Sequence, residues 1–308
     1  MSAGYLALRE RAAWLDLSSR GKIRATGDDR VRLLHAMTTN HIEQLKPSEG
    51  CYAFFLNAQG RILGDVNLFC FEDYILLDTE PEMLQPLFAH IDRYIIADDV
   101  TIEDETDRIC TIGIEGPEAA AVLTKLGGPL PNAPYSTTAW ATRTVARLSS
   151  TGSNGYFLFA PVEEKADVLG LLSEAGAVAA SPDEARIVRI EHGRPRYGEE
   201  ITDRHLVQET DQLQAVHFTK GCYVGQEIVE RVRSRAQIHR VLRRLEIETS
   251  EAPAAGEKLK SGEADAAVIA SAVFSPALGK TVALANVRVQ YAEPGTELSL
   301  AEIPARVF

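Results

Sequence analysis

Apolar residues along this chain repeat at helical spacing in some stretches and run as short blocks in others. Val31, Leu34 and Met37 stand three apart behind Asp28-Asp29, which predicts a capped amphipathic helix ending near Asn40. Two apolar runs, 51–56 and 61–70, flank Asn57-Ala-Gln-Gly60 and predict a hairpin, with a third strand over 74–78. Pro81 opens a helix whose apolar face is Leu84, Leu87, Phe88, Ile91 and Ile95. Strands are expected at 100–103 and 109–114, then a short helix from Pro117 to Gly127-Gly128 and a Gly/Pro-rich loop to Pro134. Residues 144–148 and 156–159 bracket a polar stretch that reads as a hairpin loop. A helix is predicted over 162–175, ended by Gly176. Ser181-Pro-Asp-Glu184 has the form of a capping box and starts a helix running to about Gly193.

Beyond Arg240 the texture changes. Segments 242–247, 258–260, 267–274, 282–289 and 297–301 are short strands separated by Gly, Pro and polar turns. That density of strands predicts a small barrel or sandwich. The pattern therefore predicts an α+β region over 1–237, divided into two interleaved subdomains, and an all-β domain over 238–308.

Composition narrows the function classes. A chain of 308 residues needs neither metal nor disulfide for a core. Its net charge of −12, with 44 acidic against 32 basic residues, opposes a protein that coats nucleic acid. Cys51, Cys70, Cys110 and Cys222 form no C-x-x-C pair, so a metal site or cluster within the chain is not expected. Reduced thiols are expected instead. Arg9, Glu10, Arg11 and Asp16 break any signal-peptide core, and no run approaches the roughly 18 apolar residues of a membrane helix. The expected location is the cytoplasm, with no membrane partner. His35, His41, His90, His192, His205, His217 and His239 show no ligand spacing and read as packing or surface residues.

The most distinctive segment is Lys220-Gly-Cys-Tyr-Val-Gly-Gln-Glu227. Ile228, Val229 and Val232 follow at helical spacing, which puts Cys222 near a helix N-terminus, where free N–H groups favour a thiolate. Lys220 adds a positive neighbour. Composition alone favours a small buried cysteine; the flanking Lys-Gly and Gly-Gln-Glu shift the reading toward a functional thiol. The octapeptide resembles the K-G-C-Y-x-G-Q-E signature of the YgfZ-type proteins, iron–sulfur assembly factors of a folate-binding family that also holds the glycine-cleavage T-protein. Residues 21–27, 34–40, 50–52 and 56–62 resemble the family's N-terminal half, and 272–279 and 283–288 its C-terminal barrel.

Three further segments take their meaning from that resemblance. Arg189-Ile-Glu-His-Gly193 is similar to the R-x-E-x-G run of the T-protein relatives, which implies that Glu191 contacts a pterin, with Arg189 and Tyr197 as weaker neighbours. On charge alone Glu191 reads as a solvated carboxylate beside arginines. Lys220, Gln226 and Glu227 join the implied cofactor-binding set. Gly60-Arg-Ile-Leu-Gly-Asp65 stands where T-proteins carry G-G-I-x-D-D. Gly64 occupies the first Asp position and Asp65 is kept, a departure from classical aminomethyl transfer. Finally, 231–244 holds Arg231, Arg233, Arg235, Arg240, Arg243, Arg244 and His239 with no acid. An anion or RNA site and an exposed stretch of spread charge are equally open readings; Ala236 replaces a family Gly there.

The resemblance implies a T-protein-like α+β architecture with a folate-sized central hole and a C-terminal barrel. It implies a tetrahydrofolate cofactor and a role in assembling or repairing [4Fe–4S] proteins, with cluster client or carrier proteins as partners and an indirect link to tRNA thiolation. Cys222 would carry or mediate a thiol step. The rival is a tetrahydrofolate-dependent aminomethyltransferase or other one-carbon transferase, with Asp65 essential and Cys222 expendable. A passive folate- or RNA-contacting module, led by the arginines, is the third.

Overall fold

The protein, a computed structural model, is described here over residues 1–235 and 238–308. In chain order the first part holds helices α1 (Ala3–Glu10), α2 (Arg30–Met37), α3 (Leu84–Tyr94), α4 (Ala119–Lys125), α5 (Lys165–Ala175), α6 (Pro182–Glu191) and α7 (Gln226–Arg235). Its strands are β1 (Ala13–Asp16), β2 (Gly21–Thr26), β3 (Gly50–Leu56), β4 (Ile62–Cys70), β5 (Ile75–Thr79), β6 (Thr101–Asp104), β7 (Ile109–Glu115), β8 (Thr137–Trp140), β9 (Arg143–Ala146), β10 (Gly155–Pro161) and β11 (Val178–Ala179). The second part holds β12 (Arg240–Ile247), β13 (Lys258–Ser261), β14 (Ala264–Ser275), β15 (Lys280–Arg288), β16 (Glu297–Leu300) and β17 (Ile303–Val307).

The hydrophobic blocks sort into three sheets. One has the order β3-β4-β5-β2-β6, the second β11-β1-β7-β10-β9-β8, and the third is a closed barrel β12-β15-β14-β13-β16-β17. The first two are interleaved in sequence: β1 belongs to the second sheet and β2 to the first. Closing the barrel leaves no unpaired edge among its strands. The expected strand over 297–301 is followed by β17, which pairs with both β16 and β12 to complete the ring.

The local signals for α6 and for the hairpin appear as the sequence predicts. Ser181 Oγ accepts from Glu184 N–H, and the Glu184 carboxylate accepts from Ser181 N–H at 2.7 Å. β3 and β4 pair antiparallel around the turn at Asn57–Gly60. The polar stretch 149–155, expected as a plain hairpin loop, is more than that. The fully buried Glu115 at the end of β7 accepts from the hydroxyl of Ser149 (2.6 Å), the backbone N–H of Ser150 (2.7 Å) and that of Thr151 (3.0 Å). A buried carboxylate whose oxygens accept from several donors fixes the loop it binds.

The barrel rests on α6. Ile190 packs with Leu242, Val273, Val282 and Leu284 in one buried cluster. Among the described residues no helix is long and apolar enough to cross a membrane.

Candidate functional site

A cavity of about 400 Å3 lies where the two open sheets face each other. Its wall draws on the β1–β2 connection (Leu17, Arg20), on the first sheet (Tyr52, Asp65, Asn67, Asp78), on the loop pinned by Glu115 (Ser149 to Thr151), and on α6 with its following loop (Arg186, Arg189, Arg194, Arg196). The volume is in the range of small-molecule sites, roughly 300–1,000 Å3.

Strand alternation decides which way the acid at the β4 position points. Asp65 lines the cavity. Its neighbour Gly64 faces the other side: a Cβ there would lie 3.0 Å from Leu87 and 3.1 Å from Met83. An acid at 64 would therefore enter the core under α3 rather than the cavity. The departure at Gly64 therefore removes nothing from the cavity wall, and in this fold it does not by itself argue against aminomethyl transfer.

Asp65 Oδ2 accepts from the Tyr52 hydroxyl at 2.6 Å. Burial, reinforced by the nearby Glu80 carboxylate, pushes the Asp65 carboxyl up from 3.8 to about 6; the Tyr52 bond and the charges of Arg20 and Arg194 pull the other way. The group is thus poised to exchange a proton near neutrality. Burial and the Asp65 charge push the Tyr52 phenol well above its usual range, so it stays a donor.

The arginines of the wall divide into two kinds. Arg20 is clamped by Asp78 at 2.8 Å and by Glu80. Arg189 is held by Glu199 and Glu200, and Arg196 by Glu80 and Glu82. Arg194 forms no ion pair among the described residues, and it lines the cavity together with Tyr135; burial pushes the Tyr135 phenol up and the Arg194 charge pulls it back. Tyr135 holds a left-handed backbone at φ 61°, a conformation costing about 1–3 kcal/mol for a bulky residue. Sequence reasoning did not select Arg194, although it sits in the same run as Arg189 and Glu191.

The remaining expected site residues lie elsewhere. Glu191 is not in the cavity wall. Its carboxylate, at the end of α6, accepts from the Tyr5 hydroxyl (2.7 Å), from Arg9 (2.5 Å) and from the Ser275 hydroxyl (2.5 Å). It joins α1, α6 and the barrel at one point. Tyr197 is buried in the core of the first sheet and donates to Ile62 O at 3.3 Å.

The octapeptide forms a loop that clasps α2 and the β3–β4 turn. The Lys220 ammonium donates to the carbonyls of Thr38 (2.6 Å) and Asn40 (2.8 Å) and to that of His35. Burial lowers its pKa from 10.5 to about 8. It is spent on the carbonyls at the end of α2, not directed at Cys222. Gly225, at φ 83°, lets the loop meet the turn: a Cβ there would lie 2.6 Å from Asn57 O. Tyr223 is buried. Helix α7 begins at Gln226, so Cys222 stands four residues ahead of it, in the loop before its first turn. Cys222 is exposed, and so is Glu227. Cys70 and Cys110 are buried and Cys51 half-buried; burial pushes the Cys51 thiol up to about 12.

The arginine-rich segment is neutralised from outside. Arg240 pairs with Glu209, Arg243 with Asp211, Arg244 with Glu246 and Arg233 with Glu230. Four of its six arginines therefore have carboxylate partners that the segment's own composition hides, which favours spread charge over an open anion patch. Ala236 lies outside the described residues.

Family comparisons agree with this architecture. Residues 1–220 match the model of the GCVT N-terminal domain, and residues 240–307 that of the glycine cleavage T-protein C-terminal barrel domain. The chain belongs to the GCVT family. It is 29% identical to an aminomethyltransferase of Streptomyces coelicolor over 95% of this chain and 82% of that one. A Rubrobacter xylanophilus aminomethyltransferase is 28% identical over 100% and 84%. A chloroplastic protein of Arabidopsis thaliana named as a transferase is 29% identical over 71% of this chain, which spans about half (52%) of it. In structure, the glycine cleavage system aminomethyltransferase T of Bartonella henselae superposes with a TM-score of 0.89 at 22% identity, over 99% of this chain and 87% of that one. That likeness establishes the T-protein fold.

Proposed function

We propose that this GCVT-family chain binds tetrahydrofolate or a derivative in the central cavity and acts there as a one-carbon transferase of the aminomethyltransferase class. The observation that carries the reading is the placement of Asp65, bonded to Tyr52, in a cavity that also presents Arg194, which has no ion pair among the described residues. The wall suits such a ligand. Phe157, Tyr52 and Tyr135 offer aromatic surface for a flat bicyclic ring, and Arg194 offers a cation for a glutamyl carboxylate. A one-carbon unit moving onto an amine of tetrahydrofolate forms a new C–N bond as its bond to the donor breaks; the donor atom leaves with that electron pair, the amine's proton passes to the Asp65 carboxylate, and Tyr52 holds the carboxylate in place. The names of the full-length relatives support this reading. Glu191 would serve a pterin only after giving up its bonds to Tyr5, Arg9 and Ser275.

The test is calorimetric binding of tetrahydrofolate followed by an aminomethyl-transfer assay. Binding by the wild type, weaker binding by Arg194→Gln, and a transfer rate reduced about 10²–10⁴-fold in Asp65→Asn would support it. Transfer at the wild-type rate in Asp65→Asn would sink it.

A second reading, the YgfZ-type helper of [4Fe–4S] protein assembly, is favoured by one observation: within the complete octapeptide, Lys220, Tyr223 and Gly225 have structural tasks, whereas Cys222 presents a thiol to solvent. Its iron–sulfur clients and tRNA link are tested in cells lacking the chain. Restoration of a [4Fe–4S] enzyme and of tRNA methylthiolation by the wild type but not by Cys222→Ala would support it. Absence of any cluster defect would leave the transferase.

A further inference from the structure

Three histidines scattered in sequence meet beside the Cys222 loop. His35 lies in the last turn of α2, His41 follows that helix, and Glu43 sits in the short turn Ile42–Gln44. The His35 and His41 rings are 4.6 Å apart and those of His41 and His217 are 4.9 Å apart, both edge-on. One ligand atom each from His35, His41 and Glu43 lies within 4.8 Å of the others. None of the four lines the central cavity.

Two features set the group apart from ordinary ring packing. His41 Nδ1 is sealed from water and has no hydrogen-bond partner, an unusual state for a buried ring nitrogen. The backbone around the rings is also fixed by bonds that engage no nitrogen of the His41 ring, while His35 Nδ1 and His217 Nδ1 have only long contacts, 3.4 Å to Glu43 N–H and 3.5 Å to the Thr219 hydroxyl. Lys220 ties the carbonyls of His35, Thr38 and Asn40; the Asn40 amide donates to Tyr52 O and Gln214 O; and His217 N–H donates to Thr39 O. Gly221 passes close enough that a Cβ would lie 3.8 Å from His35 Nε2, so the loop that exposes Cys222 also borders the rings.

We propose that His35, His41 and Glu43 form a site for one divalent transition-metal ion of the zinc class, with His217 the adjacent imidazole that a side-chain rotation brings in as a further ligand. Two imidazoles and a carboxylate suit such an ion; calcium and magnesium prefer all-oxygen shells. His35 Nε2 already stands 3.8 Å from Glu43 Oε2. When Nε2 gives its lone pair to the metal, Nδ1 carries the ring proton. The Glu43 N–H contact to Nδ1, at 3.4 Å near the outer limit of a hydrogen bond, is then released. The Lys220 ammonium is a repulsive neighbour, offset by the Glu43 carboxylate and by the three carbonyls it binds. The Glu43 side chain is 49% exposed, which provides an entry path.

The site is tested on the full chain, stripped of metal by chelator and titrated with Zn2+ alone in competition with a chromophoric chelator. The expected result is one Zn2+ per chain. His41→Asn and Glu43→Gln should each weaken binding by more than about 100-fold, beyond the 10–100-fold typical of outer-shell changes, while Cys222→Ser binds as the wild type does. Both altered side chains lack hydrogen bonds among the described residues, so metal-free thermal midpoints should be unchanged. Zn2+ should raise the midpoint of the wild type but not of the variants. Zn2+ uptake abolished by Cys222→Ser and kept by His41→Asn would overturn the proposal, as would no binding above that of a His41→Asn/Glu43→Gln double variant.

Discussion

The cavity and the octapeptide loop are built in opposite ways. The cavity gathers charges from distant parts of the chain and buries them: Arg20 against Asp78 and Glu80, Arg189 against Glu199 and Glu200, Asp65 against Tyr52. The octapeptide is one continuous run, a loop entering α7, that buries the charge of Lys220 and leaves its thiol and Glu227 in solvent. The difference shows where a folded chain can shift reactivity. Desolvation moves the Asp65 carboxyl up to about 6, which an exposed position could not do.

Substitutions can break or sharpen that contrast. The largest stability effect is expected from Arg20→Ala, which strands the buried Asp78 without its cation and leaves Glu80 only Arg196; breaking a buried pair costs about 3–5 kcal/mol, read from urea unfolding. Asp65→Asn should act in the other direction. The raised carboxyl means that the folded state holds its proton more tightly than the unfolded chain does. Below about pH 4 both states are protonated and wild type and variant should match. Between 4 and 6 the unfolded chain loses its proton first, so wild-type stability falls as pH rises. At pH 7 the variant should be more stable by up to about 3 kcal/mol, while transfer is lost. Parallel urea curves at pH 4 and 7 check this, and equal stabilities at both would refute the shift. Gly225→Ala should cost about 2 kcal/mol, since it forces a side chain onto Asn57 O at positive φ. Cys222→Ser should change stability by less than about 0.5 kcal/mol, the norm for an exposed position. A larger loss would mean that the loop is packed more tightly around the thiol than its exposure implies.

Much of the fold was legible because its signals are local. The capping box at Ser181, the Asn57–Gly60 turn and the apolar spacing of α3 depend on neighbours within a few residues. The site was legible only in part. Asp65 and Arg189 were selected and do line the cavity, whereas Arg194 was passed over and Glu191 was placed by analogy at a pterin. Glu191 could not be read from its own segment, because its partners Tyr5, Arg9 and Ser275 lie far away in sequence. The arginines of 231–244 looked unopposed because Glu209 and Asp211 come from far off in sequence and Glu230 and Glu246 stand just beyond the segment's ends.

By itself, then, the sequence determined the α+β character, the strand-rich C-terminal region and the octapeptide, since periodicity, turn chemistry and contiguous motifs need no tertiary contact to be read. Tertiary structure alone decided that Asp65 rather than residue 64 faces the cavity, that Lys220 caps α2, and that His35, His41 and His217 share one pocket of space. Those outcomes depend on which faces two sheets turn toward each other and on long-range pairings, and spacing along a chain carries neither.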